Sequence, residues 1–188
     1  MDILHSLTSA FNPKAVAVVG ASDRPGSRGS FVWSGVMNGR RVHEAYPVNP
    51  KYKYIGVTSC WPSLSEVPAK IDLAVFATPS SKIEGLLKEC KKLAIPNVLI
   101  TPGDEELTAD RRWRERIAQM AREAGIRLIG PDSMGIMRPS IGLNVSYWPH
   151  LAQTGSIGLL CQSGAVTAAV LEYADRSGIG FSTVISSG

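Results

Sequence analysis

The chain has 188 residues, 44% of them hydrophobic and 19% charged, with a formal net charge of +4. This composition fits one soluble domain with part of a second, and it excludes a disordered or fibrous chain. No apolar run approaches the roughly 20 residues of a membrane helix, no basic-then-apolar leader opens the sequence, and so mild a charge suits a small anion without indicating nucleic acid.

The first residues carry Ile3, Leu4, Leu7 and Phe11 at roughly helical spacing, and Asn12-Pro13 ends that helix. Ala15–Val19 is an unbroken small or branched apolar run, the pattern of a strand buried on both faces. It enters Gly20-Ala21-Ser22, a polar loop Asp23–Gly29, and a helix over Ser30–Asn38 that Gly39 stops. A strand, a tight turn and a helix N-terminus together offer free N–H groups and a favourable dipole to an anion. His43–Val48 reads as the next strand, followed by Asn49-Pro50-Lys51, and Tyr52–Pro68 reads as irregular. Ile71–Ala77 is a buried strand closed by Thr78-Pro79, with Ser80 or Ser81 as cap for a helix reaching Leu93. Asn97–Thr101 is a strand ending in Pro102-Gly103-Asp104. A charged helix covers Thr108–Ala124, Gly125 terminates it, and the strand Ile126–Ile129 runs into Gly130-Pro131-Asp132-Ser133.

Alternating strands and helices predict an α/β fold, a Rossmann-like doubly wound parallel sheet with ligands beyond the strand C-termini. Residues 136–155 lack clear periodicity and read as a connector. A new βαβ unit then starts, with a buried strand Ser156–Cys161, a turn Gln162–Ala165, a helix Val166–Arg176 and a strand Phe181–Ile185. The expected division is residues 1–148, a linker 149–155 and residues 156–188 as the beginning of a second, flavodoxin-like domain. One βαβ cannot cover both sheet faces, so these residues are expected to pack on something further, and a homo-oligomer is one way to do so.

The dinucleotide fingerprint GxGxxG is absent, because Ser22 stands where its second glycine belongs. The end of the second strand carries Asn49 and Lys51 in place of the carboxylate that holds a nicotinamide ribose. A cation there suits a phosphorylated ribose, as in NADP or the 3′-phosphate of coenzyme A. Arg111–Arg116 reads as the outer face of a helix whose inner side holds Trp113, Ile117, Met120 and Ala121, not as a nucleic-acid patch. Cys60, Cys90 and Cys161 stand far apart without partnering histidines, which predicts neither a metal site nor disulfides and fits a reducing cytoplasm. Cys161-Gln-Ser-Gly164 lacks the leading glycine of a hydrolase elbow; Ser163, Gly164 and Ala165 instead open a helix able to hold an anion. His5, His43 and His150 join no catalytic cluster.

Five segments together resemble the NDP-forming acyl-CoA synthetases: Asn12–Ser22, Tyr46–Lys51, Ile71–Pro79, Ile126–Gly135 and Cys161–Ala165, in the same order and at similar spacing. This superfamily includes the succinyl-CoA synthetase alpha subunit and ADP-forming acetyl-CoA synthetase, and its CoA-binding module also occurs in bacterial protein lysine acetyltransferases. The resemblance implies that Gly20, Ala21 and Ser22 meet CoA phosphates and that Asn49 and Lys51 lie near the 3′-phosphate. Thr78 and Pro79 would contact the pantetheine or adenine, and Gly130, Pro131, Asp132 and Ser133 would face the thiol. Gln162, Ser163, Gly164 and Ala165 resemble the helix N-terminus that stabilises a phosphohistidine.

Two departures stand out: Asp132 replaces the usual Asn, and Asp104 the usual Phe. The implied parent converts acyl-CoA, phosphate and NDP to acid, CoA and NTP, with an ATP-grasp domain or subunit as partner. The acyl group is open. The phosphorylated histidine and ATP-grasp region of the family have no counterpart among these residues, so the chain alone is expected to be inactive and no catalytic residue is assigned. The rival readings are a regulatory CoA or acyl-CoA sensor of the acetyltransferase type and, less favoured, an NADP-dependent oxidoreductase domain.

Overall fold

The computed structural model describes residues 3–39, 44–101, 103 and 110–188. The expected strand start at His43, the helix start at Thr108, and the loop residues Pro102 and Asp104 lie outside them. In chain order the elements are α1 (Ile3–Phe11), β1 (Ala15–Val19), α2 (Arg28–Asn38), β2 (Glu44–Val48), β3 (Tyr54–Ile55) and β4 (Thr58–Ser59). Next come β5 (Leu73–Phe76), α3 (Ile83–Lys92), β6 (Asn97–Ile100), α4 (Arg111–Glu123) and β7 (Arg127–Ile129). The last are β8 (Gly135–Arg138), β9 (Leu143–Ser146), β10 (Thr154–Cys161), α5 (Gly164–Arg176) and β11 (Phe181–Ser186). Among the described residues no helix is long and apolar enough to cross a membrane.

Five parallel strands form the first sheet in the order β2-β1-β5-β6-β7. All five residues of β1 are buried, and their alternation explains why. Ala15, Ala17 and Val19 face a core with Phe76, Leu87, Trp113 and Ile117. Val16 and Val18 face the other way, toward Val32, Trp33 and Val36 of α2 and toward Leu143 and Val145 of β9. Helices cover both faces, so the strand has no polar side and needs none. The charged helix behaves as its spacing predicts: Trp113, Ile117 and Ala121 are buried, while Arg111 pairs with Glu115 and Arg116 with Glu84 at the surface. Gly125 adopts φ +68 and lets Ile126 N–H bond back to the Ala121 carbonyl at 2.9 Å.

The structure corrects several expectations. Residues 136–155 are not a structureless connector. They contain β9 and most of β8, an antiparallel pair joined by the 3₁₀ turn Pro139–Ile141, and β8 pairs with β11. The second sheet, β10-β11-β8-β9, therefore draws strands from both sides of the expected boundary at residue 148. Its hairpin shows little periodicity in sequence because β9 is buried at every position, Asn144 and Ser146 included. Ser146 Oγ donates to Asn144 Oδ1 at 2.6 Å, which satisfies polar groups that a pattern search reads as loop.

The strand Ser156–Cys161 exists within β10 but is mostly exposed, at the sheet edge, with Leu160 at 72% exposure. Tyr52–Pro68 contains the short β3–β4 hairpin and a 3₁₀ turn, Leu64–Glu66. Neither Ser80 nor Ser81 caps a helix; a 3₁₀ turn Ser80–Lys82 leads into α3 without a side-chain cap. Gly39 ends α2 in extended backbone with φ −67, and glycine is needed there because a Cβ would strike the Gly142 carbonyl.

Candidate functional site

The C-terminal ends of β1, β2 and β5 open into a cleft of about 740 Å³. At its centre Gly20 adopts φ +88, where a Cβ would lie 2.5 Å from the Ala77 carbonyl and 2.8 Å from Thr78 Cγ2. Glycine removes both obstacles and lets the chain turn directly off the strand. Its N–H donates to the Val48 carbonyl at 2.8 Å, which ties the β1 turn to the end of β2. The first turn of α2 then comes down on this turn: a Cβ at Gly29 would strike the Gly20 carbonyl. Ser27 caps α2, its Oγ accepting from Ser30 N–H at 3.2 Å. The remaining N-terminal amides have no partner within the helix, and the dipole adds positive potential there.

Asn49 is a brace. Its Nδ2 donates to the Ala21 carbonyl at 2.8 Å, and its Oδ1 accepts from Lys51 N–H at 3.0 Å. Both ends of the amide are engaged by backbone, so the residue fixes the two loops relative to each other and presents Lys51. Ser22 is buried; its Oγ accepts from Arg24 N–H at 3.0 Å and lies 3.3 Å from the Tyr52 hydroxyl. Thr78 Oγ1 is buried without a protein hydrogen-bond partner, on a residue that lines the cleft. A buried hydroxyl rarely goes unpaired unless water or ligand completes it. Arg24, Arg28, Lys51 and Lys82 line the cleft against one carboxylate among the described residues, Glu89, so its potential favours an anion.

Of the residues singled out from sequence, Gly20, Ser22, Asn49, Lys51, Thr78 and Pro79 share this cleft, and Ala21 lies beside it, fully buried. Gly130–Ser133 and Gln162–Ala165 do not line it. Gly130–Ser133 follow β7, two strands away from β5 or about 10 Å by strand spacing, and Ser186 and Ser187 at the end of β11 link them to the turn after β10 that holds Gln162–Ala165. Gly130 N–H donates to the Ser187 carbonyl, and Ser187 N–H to the Cys161 carbonyl. Ser133 is buried, with its Oγ donating to the Ser186 carbonyl at 2.5 Å. Ser163 caps α5 by accepting from Val166 N–H at 3.3 Å. Asp132 stays exposed at φ +70.

Residues the sequence reading did not single out also line the cleft: Arg24, Ser27, Arg28, Gly29, Tyr52, Lys82, Gly85 and Glu89. For Gly29 a signal existed, since a glycine at the start of a helix after a phosphate-type turn marks close packing. It was obscured because the spacing from Gly20 is longer than in the dinucleotide fingerprint.

The three thiols differ in environment. Cys60 and Cys90 are buried, and Cys161 is half-buried. Burial, reinforced by the Glu89 carboxylate, pushes the Cys90 thiol from 9.0 up to about 12. Burial also raises Cys60, against the lowering effect of the Asn49 and Trp61 carbonyls. A colorimetric disulfide reagent at pH 8 is expected to label Cys161 quickly and the other two only after denaturation; fast labelling of Cys90 would contradict this packing. Because the folded Cys90 value is raised, its contribution to stability is intact below pH 9 and is lost as pH climbs toward 12.

Comparison with known proteins gives two family matches. The profile described as "CoA binding domain" matches residues 14–139, and that described as "Succinyl-CoA ligase like flavodoxin domain" matches residues 154–188. The chain is 34% identical over 180 residues to acetate–CoA ligase [ADP-forming] I of Archaeoglobus fulgidus, covering 95% of this chain and 26% of the relative. It is 31% identical over 189 residues to the alpha subunit of acetate–CoA ligase [ADP-forming] I of Pyrococcus furiosus, covering 97% and 41%. Among solved structures, the dinucleotide forming acetyl-coenzyme A synthetase 1 of Ca. Korarchaeum cryptofilum, in complex with phosphate and ADP, superposes with a TM-score of 0.91 at 30% identity. That match covers 97% of this chain and 39% of the other. The chain thus spans between a quarter and two fifths of the length of these relatives.

Proposed function

The chain belongs to the CoA binding domain family through residues 14–139, and from that premise we propose that the cleft over β1, β2 and β5 seats coenzyme A. One observation carries the reading: Gly20, the capped N-terminus of α2 and Lys51 converge on a single cleft of about 740 Å³. In this reading the pyrophosphate lies against Gly20, Ser22 and the first amides of α2, with Arg24 and Arg28 beside it. The 3′-phosphate pairs with Lys51, held in place by Asn49. The unpaired Thr78 hydroxyl gains a partner from the ligand. The pantetheine arm runs along the rim so that the thiol reaches Gly130–Ser133, next to the α5 N-terminus at Gln162–Ala165.

The whole protein is then an acid–CoA ligase of the NDP-forming type, like the relatives whose names state that activity. This chain supplies its CoA-binding part, a further domain or subunit supplies the nucleotide site, and the α5 N-terminus holds a phosphoryl group. The exposed β10 edge, with Ile157 and Leu160, supports association with another domain, subunit or copy.

Calorimetric titration with CoA, dephospho-CoA and NADP tests the site. CoA is expected to bind, and dephospho-CoA about tenfold more weakly, the scale of one hydrogen bond to a charged group. Lys51→Ala is expected to weaken CoA by a similar factor and leave dephospho-CoA nearly unchanged. Binding of NADP alone would turn the assignment to an oxidoreductase.

A further inference from the structure

Residues 147–153 leave β9 at one end of the second sheet and must reach the start of β10 at the other, because β9, β10 and β11 all run the same way. They cross the face that α5 covers, where Trp148, Leu151 and Ala152 pack on the core of Met137, Leu171, Ala174 and Phe181. Segment and helix do not close on each other. Between them lies a hollow of about 470 Å³, within the range of roughly 300–1,000 Å³ for small-ligand sites. Its floor is apolar, with Leu171, Ala174 and Phe181 all buried. It shares no described residue with the cleft over β1, β2 and β5. It lies by the C-terminal turn of the 13-residue α5, about 20 Å along the helix from Gln162–Ala165.

Two features of the hollow call for a ligand. The first is the way Trp148 is held in its wall. Ser146 Oγ accepts from the Trp148 N–H at 3.1 Å, and Asn144 Nδ2 donates to the Trp148 carbonyl at 3.4 Å. Asn144 and Ser146 are each 1% exposed, so two polar side chains inside a core strand are committed to fixing one aromatic residue at the mouth of a cavity. The second feature is charge. Glu172 and Asp175 line the hollow from the end of α5, where unpaired carbonyls make the helix terminus negative and favour cations. Glu172 is answered by Arg176. Among the described residues the Asp175 carboxylate accepts only from Gln153 Nε2, at 3.5 Å, which is long for such a bond. Most of its lone pairs stay open. A neutral Asn would tie Gln153 to the helix equally well and would not oppose the dipole.

We propose that the hollow binds a small organic cation, an ammonium on a short apolar arm. The arm lies on Leu171, Ala174 and Phe181, and the charge sits between Asp175 and the Trp148 ring. Indole faces attract cations, and the carboxylate supplies a charge-assisted hydrogen bond. His150 and Arg176 also line the hollow, but an anionic head would have to take Arg176 from Glu172. The site is independent of the reading that the other cleft seats CoA.

n-Hexylammonium, hexanol and hexanoate share one arm and differ in the head, so together they test the charge. Binding is followed by two-dimensional NMR at the Trp148 indole N–H, identified by its loss in Trp148→Phe, and at the backbone amides of α5. Hexylammonium is expected to bind at about millimolar strength, the scale for so few atoms. Hexanol is expected to bind about tenfold more weakly, and hexanoate more weakly still. Asp175→Asn is expected to weaken the ammonium about five- to tenfold while hexanol binding and Tm stay nearly unchanged. Trp148→Leu, read at the α5 amides, is expected to weaken the ammonium about two- to fivefold. Equal binding of the three heads, or an ammonium preference that survives Asp175→Asn, overturns the cation site. So does the absence of shifts at the hollow with all three ligands at tens of millimolar. CoA binding, or its failure, bears on none of these outcomes.

Discussion

Gly29→Ala is expected to lower CoA affinity by about 100-fold, the scale of losing two hydrogen bonds to a charged group. It is also expected to destabilise the fold by about 1–3 kcal/mol, the range for overpacking. Both effects have one cause. The first turn of α2 rests directly on the β1 turn, and the Gly20 carbonyl occupies the place an alanine Cβ would take. Gly20 C and Ser22 N lie within 3.0 and 3.2 Å of the same point, so the obstacle is backbone and cannot swing aside. The helix must lift, and its N-terminal amides leave the positions they hold over the cleft. Gly26→Ala is the control on the same loop. That residue has φ +75 with nothing within 4 Å of a Cβ, so only the left-handed backbone cost of about 1–2 kcal/mol applies. Thermal melting and CoA titration of both variants decide the matter. If Gly29→Ala keeps wild-type Tm and affinity, the close approach of α2 to the β1 turn is not what shapes the site.

The first sheet was legible because its signal is redundant. Ala15–Val19 and Leu73–Phe76 are apolar at every position, and each runs into turn residues, Gly20-Ala21-Ser22 and Thr78-Pro79. The second sheet was harder to read. In β9 the polar Asn144 and Ser146 are buried and bonded to each other, and such pairs become visible only when partners are placed in space. The exposure of β10 was also misjudged. Its composition reads as a central strand, but only β11 pairs with it here.

The cleft was read from its strand ends, which carry turn residues with local signatures. The walls were missed where they come from ordinary secondary structure. Lys82, Gly85 and Glu89 look in sequence like the outer face of an amphipathic helix, and Pro62–Leu64 like a loop. What brings them together is the sheet order, which sets β5 beside β1 and so places the segments before and after β5 against the same strand ends, a non-local fact. Asn49 shows what sequence leaves out: its position at the end of β2 was foreseen, but not that its amide braces the Ala21 carbonyl and the Lys51 N–H.

Phe76→Ala is expected to cost about 3–5 kcal/mol, the range for removing a buried aromatic side chain. A domain holds only about 5–15 kcal/mol in total, so a fifth or more of the stability is at stake. Phe76 is fully buried in the core that also holds Ile83, Leu87, Trp113 and Ile117. It lies at the end of β5, between β1 and β6, where Val19 and Ile100 are its register partners. Its carbonyl accepts from both the N–H and the Oγ1 of Thr101, at 3.1 and 2.9 Å. A cavity at this point loosens α3 against the sheet just below Thr78 and the Lys82–Glu89 face, so the cleft wall should suffer along with the fold. Urea unfolding followed by circular dichroism gives the stability loss. CoA titration well below the new midpoint gives the second readout, where affinity is expected to fall while Leu128→Ala, on a half-buried residue of β7 at the other side of the sheet, changes it little. A Phe76→Ala loss under about 1 kcal/mol, far below the usual range, would mean that this core collapses around the missing ring, and the tie between the packing of β5 and the shape of the cleft would then fail.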